Sequence, residues 1–176
     1  YRPKELVKSL GSIYIFFTFF IFLLLSFIGL SIFDSLCHAM TTVATGGFST
    51  HNNSVGYYNN FFTEIIIVIG MLLASLPFTL YISFLRKKYS IFHDSQVLLF
   101  LSLITIFILA LAIWIHIENN LDILIALRLA LFNGVSVMTG TGFSTENFSN
   151  WGSFSNTALL TMMFIGGCSG STTGGL

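Results

Sequence analysis

Apolar residues fill positions 12–33, 61–85 and 96–117 almost without interruption. At about 1.5 Å per residue, each run is long enough to cross a hydrocarbon core of roughly 30 Å. None shows the single apolar stripe of a soluble amphipathic helix; each is hydrophobic on every face. The pattern therefore predicts membrane-spanning helices. A fourth run starts near Asn156 and dissolves, after about three helical turns, into the sequence GGCSGSTTGG. Pro77 lies inside the second run, where its missing N–H predicts a kink.

Two shorter helices are expected between the spans. Residues 36–43 follow Asp34-Ser35, and residues 123–137 follow Asp122; both starts carry N-cap residue types. Neither segment is long enough to cross a bilayer. Each runs into a glycine motif: Thr45-Gly46-Gly47-Phe48-Ser49-Thr50 and, ninety-five residues on, Gly140-Thr141-Gly142-Phe143-Ser144-Thr145. Polar loops follow, over residues 51–60 and 144–155. The order span, short helix, glycine motif, loop, span thus occurs twice, over residues 1–95 and 96–176.

Composition agrees with a bilayer. The chain is 55% hydrophobic and 8% charged, against about 25% charged in soluble domains. Net charge is zero and no basic run suggests a nucleic-acid partner. Cys37 and Cys168 belong to no CxxC pair and read as small buried thiols. Cys37 and His38 are adjacent, so they point roughly 100° apart on a helix, an unfavourable geometry for sharing a metal. The first apolar run has no small-residue cleavage site and is not a signal peptide. With no initiator Met and a glycine-rich end, the sequence reads as a piece of a longer protein.

Charge placement suggests sidedness. Arg2, Lys4 and Lys8 precede the first span, and Arg86, Lys87 and Lys88 follow the second, which puts six basic residues on one, cytoplasmic, face. Asp34, Glu64, Glu118, Asp122 and Glu146 fall on the other side, forming an acidic mouth that concentrates cations. Arg128 is the exception, midway along the second short helix. Two readings stand: a side chain paired with a carboxylate such as Asp122 or Glu118, or an electrostatic element of a pore.

Irregular backbone is tolerated in a bilayer only where it is buried in protein or lines a watery cavity. A glycine strand at the end of a short helix meets that condition if its carbonyls replace the hydration shell of a cation. Glycine admits the backbone conformations this requires, and the helix's partially negative C-terminus points at the ion. The plainer reading is tight turns or close helix packing. For GGCSGSTTGG, glycine's helix penalty of about 1 kcal/mol per residue predicts an unwound, hydroxyl-rich intramembrane loop; the alternative is a small-residue packing site. Gly167-Cys168-Ser169-Gly170 also matches the G-x-S-G of serine hydrolases. An intramembrane protease would need a base beside Ser169, and the histidines available are His38, His51, His93 and His116.

Three blocks carry a family resemblance: FDSLCHAMTTVATGGFSTHNNSVGYY at residues 33–58, the second motif with its loop, and FIGGCSGSTTGGL at residues 164–176. With the spans between them, the chain resembles the TrkH/TrkG/KtrB superfamily of potassium-uptake subunits, its TrkH branch in particular. That resemblance implies an all-α polytopic membrane protein of membrane helix–pore helix–filter loop–membrane helix repeats. Four such repeats would surround one path, with the second at residues 1–95 and most of the third at 96–176. It implies a K⁺ selectivity filter at Thr45, Gly46, Gly47, Phe48, Gly140, Thr141, Gly142 and Phe143, with K⁺ held by backbone carbonyls. Gly47 and Gly142 take the filter-glycine place. It further implies a gate loop of Gly166, Gly167, Cys168, Ser169, Gly170, Ser171, Thr172, Thr173, Gly174 and Gly175. Other implications are K⁺ as transported ion with no cofactor, a homodimer, a cytosolic nucleotide-binding ring of the TrkA/KtrA type, and the bacterial cytoplasmic (inner) membrane. A sodium-permeable relative is the alternative within the family. The sequence departs from the family at Gly140, where relatives often carry Thr, and at Thr173, where the usual pattern is GSTGGG.

Overall fold

The computed structural model describes residues 3–85 and 94–175. Arg2, Arg86, Lys87, Lys88 and His93, which enter the sidedness and protease arguments, lie outside the described residues.

Seven helices and two short 3₁₀ turns are present among the described residues: α1 (Pro3–Ile28), α2 (Ile32–Val43), α3 (Phe61–Ala74), α4 (Phe78–Leu85), α5 (Ser95–Asn119), α6 (Ile123–Met138) and α7 (Gly152–Ile165). The 3₁₀ turns, Ser54–Tyr57 and Phe148–Trp151, lie in the polar loops. α1 and α5 contain apolar stretches long enough to cross a membrane.

The chain leaves α1 at Gly29, whose φ of 102° ends the helix. α2 begins four residues earlier than the sequence pattern suggested. Its N-cap is Ser31, whose hydroxyl accepts from the Asp34 amide at 3.0 Å and donates to the Asp34 carboxylate at 2.8 Å. Asp34 therefore sits inside the first turn, where its charge complements the helix's positive end. The second span breaks at Pro77 as expected, into α3 and α4. Asp122 caps α6 through the Leu124 amide, also as expected. α7 starts at Gly152, four residues before Asn156, because the preceding 3₁₀ turn feeds directly into it.

α1, α2 and α3 pack as one hairpin, and α5, α6 and α7 as a second; the two meet along α3 and α6. Among the best-buried side chains are Leu25, Val43, Ile67 and Met71 in the first hairpin, with Leu111, Ile115, Met138 and Met162 in the second. Gly70 lets α3 approach both neighbours closely: a Cβ there would fall 2.6 Å from atoms of Ile21 and of Thr42. Close backbone approach matters because lipid tails are as apolar as leucine, so packing and hydrogen bonds must hold membrane helices together. The outward faces carry Phe16, Phe19 and Phe27 on α1 and Leu98, Ile106 and Ile117 on α5, all exposed and apolar.

Candidate functional site

Each short helix delivers its glycine strand with the same backbone hydrogen bonds. The Ala44, Thr45 and Gly46 amides donate to the Met40, Thr42 and Thr41 carbonyls; ninety-five residues on, Thr139, Gly140 and Thr141 donate to Val135, Val137 and Ser136. The strands alternate in hand in the same way. Thr45 (φ 49°) and Gly47 (65°) are left-handed in the first, Gly140 (65°) and Gly142 (89°) in the second, while the residues between them are not. Strict alternation of hand turns successive carbonyls toward one side of a strand, unlike the two-sided arrangement of a β-strand. Gly140 is thus the counterpart of Thr45 in conformation. Thr45 adopts the left-handed form despite its Cβ, at a cost of about 1–2 kcal/mol.

The strands touch where Gly47 meets Thr141. A Cβ on Gly47 would collide with the Thr141 carbonyl, whereas one on Gly142 would meet nothing within 4 Å. Phe143 is buried and stacks on the His38 ring of α2 at 5.8 Å, while its counterpart Phe48 is exposed.

Two residues that the motif reading passed over hold the far ends of the strands. The Thr41 hydroxyl lies 2.9 Å from both the Phe48 and the Cys37 carbonyl, which share its one proton, and the Ser136 hydroxyl donates to the Phe143 carbonyl at 2.6 Å. Both stand five residues before the second strand residue, so extending the ninety-five-residue offset back from the glycines into the helices finds them. The next turn back does similar work. His38 Nε2 pairs with Ser49 Oγ at 2.9 Å, and Asn133 Nδ2 donates to Thr145 Oγ1 at 2.8 Å.

Beyond the strands, the two polar loops bind one another: Gly56 N–H donates to Ser144 O at 3.1 Å, and Ser144 N–H to Ser54 Oγ at 3.2 Å. Asp34 faces this side. Its carboxylate accepts from Thr50 (2.6 Å) and Ser31 (2.8 Å), and these bonds, Thr50 first, hold its pKa below the ordinary aspartate value of 3.8. Arg128 pairs with neither Asp122 nor Glu118. Its Nε and Nη2 donate to the two Glu64 oxygens at 2.7 Å each, joining α6 to α3.

Residues 166–175 are non-helical apart from an isolated pairing of Gly166 with Gly175. The segment folds on itself through Gly167 N–H to Gly174 O (3.2 Å) and Ser171 Oγ to Cys168 O (2.6 Å). It also docks on the break between α3 and α4. Pro77 has no N–H for the Leu73 carbonyl four residues back, and the Tyr81 hydroxyl fills that place at 2.6 Å. The Ala74 carbonyl accepts from Thr172 N–H and Oγ1 at 3.2 and 3.0 Å, and the Ser75 carbonyl from Cys168 N–H at 3.2 Å. Phe78 N–H donates to Gly170 O at 3.0 Å. The proline thus opens a set of backbone groups that the segment closes. From its other side, the Thr172 carbonyl lies 3.2 Å from Thr45 Oγ1, at the foot of the first strand.

Ser169 accepts from Gln96 Nε2 at 3.2 Å. The His38 ring pairs with Asp34 O and Ser49, and the His116 ring with Leu121 O. Among the described residues, no three His, Cys, Asp or Glu side chains gather as a metal site would require.

Comparison with known proteins fits this architecture. The family model described as TrkH, cation transport protein, matches residues 5–176. The Trk system potassium uptake protein TrkI of Halomonas elongata is 38% identical over 99% of this chain and 36% of its own length. The Trk system potassium uptake protein TrkH of Salmonella typhimurium is 38% identical over 99% of this chain and 37% of its own. The crystal structure of the potassium transporter TrkH from Vibrio parahaemolyticus superposes with a TM-score of 0.93 at 31% identity, over 99% of this chain and 39% of that one. The chain spans little more than a third of the length of these relatives.

Proposed function

The chain belongs to the TrkH family of cation transport proteins, and on that premise we propose that it forms part of a potassium-uptake pathway whose selectivity rests on the carbonyls of residues 45–48 and 140–143. A K⁺ ion entering from the acidic side sheds water as these carbonyls take its place. α2 and α6 both end at the strands, where each contributes a partial negative charge of about half an electron. Residues 1–95 and 96–176 act as two membrane–pore–membrane units, each giving one wall of a four-walled filter. The remaining walls would come from parts of the protein matching the rest of the relatives' length. Residues 166–175 act as a gate beneath the filter, held closed by their dock on the α3–α4 break. A bacterial inner-membrane homodimer controlled by a cytosolic nucleotide-binding ring completes the proposal, and rests on the family resemblance alone.

The observation that carries this reading is the alternation of hand at equivalent positions of both strands, backed by the same hydrogen bonds. Rubidium uptake by the full-length protein in vesicles tests it. K⁺ should compete with rubidium and Na⁺ should not. Equal competition by Na⁺ would assign the chain to the sodium-permeable branch. Absence of any cation flux, with reaction of Ser169 toward a fluorophosphonate, would favour the protease reading.

A further inference from the structure

The two halves match at their strands but not along their helices, and one ion pair marks the difference. Glu64 lies in the first turn of α3 and is 5% exposed; Arg128 lies in the second turn of α6 and also sits over the Phe61 ring at 5.8 Å. Ninety-five residues after Glu64 stands Leu159, and ninety-five before Arg128 stands Phe33. Neither counterpart is charged, so the pair belongs to the seam between these two units and is not repeated at the equivalent positions Phe33 and Leu159.

That seam is joined at three levels: the Glu64–Arg128 fork between helices, the bonds of Ser144 with Gly56 and Ser54 between loops, and the contact of Gly47 with the Thr141 carbonyl between strands. A cavity of about 320 Å³, lined in part by Gly56, Glu64, Arg128, Thr145 and Glu146, lies between the fork and the loops. An apolar helix contact tolerates sliding. A bidentate guanidinium–carboxylate pair fixes both distance and orientation. The pair also neutralises itself, so Glu64 adds no net charge to attract cations.

We infer that Glu64 and Arg128 are positioning residues for ion selectivity: their fork sets the separation of α3 and α6, and thereby keeps the Gly47 and Thr141 backbones in register across the seam. This rests on the filter reading. The test is the K⁺-to-Na⁺ permeability ratio of the full-length protein, taken from bi-ionic reversal potentials. Arg128→Lys keeps the charge but loses the fork, and should lower the ratio several-fold. The exchange Glu64→Arg with Arg128→Glu restores a fork and should recover most of that loss. Glu64→Leu with Arg128→Leu copies the apolar character of the other half, guards against simple misfolding, and should lower the ratio as Arg128→Lys does. Gly47→Ser serves as the control for the filter itself. A wild-type ratio in both Arg128→Lys and the double-leucine variant, with Gly47→Ser impaired, would overturn the inference and leave the filter reading standing. An unchanged ratio in Gly47→Ser would remove the filter reading first.

Discussion

The hydroxyl of Thr45, the first residue of one glycine strand, lies 3.2 Å from the carbonyl of Thr172 in the segment that follows the last helix. Thr172 in turn grips the Ala74 carbonyl through both its amide and its hydroxyl. Strand foot, loop and helix break are therefore one connected unit. The gate reading gains a physical basis from this, because a proline supplies the acceptors on which the loop rests.

Replacing that proline should loosen the loop. Pro77→Ala returns an N–H for the Leu73 carbonyl and favours a continuous helix, which takes Ala74 O and Phe78 N–H away from Thr172 and Gly170. Basal rubidium uptake by the full-length protein should rise. Shortening residues 170–175 should have the same effect. Uptake at or below the wild-type level in both, with normal membrane insertion, contradicts a gate.

Thr41→Val and Ser136→Ala remove the hydroxyls that hold the Phe48 and Phe143 carbonyls. Each loses a hydrogen bond with a net value of about 0.5–1.5 kcal/mol. The Ser136 change should cost more, about 1–3 kcal/mol, because its donor and acceptor are buried and the carbonyl is left unpaired. Thermal unfolding in detergent should show Ser136→Ala melting below Thr41→Val, and both should select less well against Na⁺. Equal melting with wild-type selectivity would remove these hydroxyls from the account.

Asp34 provides a pH test at the polar mouth, outside the spans. Its pKa is depressed by the Thr50 and Ser31 hydroxyls, so its contribution to stability is present above the ordinary value of 3.8 and is lost as pH falls through its lower folded value. Melting temperature should therefore show no Asp34-dependent change near neutral pH and an acid decline that sets in as pH approaches 3.8 and continues below it. Asp34→Asn should reduce that acid decline. An Asp34-dependent transition near neutral pH would contradict the bonding described.

Much of this was legible in the sequence because it is local. Pro77 marked its own break, Asp122 capped its own helix, and the glycine motifs announced the strands. Local ambiguity explains the misplaced start of α2: Ser31 and Asp34 are both N-cap types three residues apart, and their side chains bind each other. The partner of Arg128 was out of reach, because Asp122 and Glu118 are near in sequence while Glu64 becomes its neighbour only when α3 packs on α6. Docking of residues 166–175 on the α3–α4 break was equally hidden. A proline reveals which carbonyls it frees, but not what distant backbone comes to fill them.

Whether residues 45–48 and 140–143 are two walls of one filter is decided by the K⁺/Na⁺ reversal potential of the full-length protein carrying Gly47→Ser or Gly142→Ser. Both positions are left-handed, and a side chain at Gly47 also strikes the Thr141 carbonyl. A reversal potential shifted toward sodium permeation is expected in each variant. Wild-type ratios in both would contradict it.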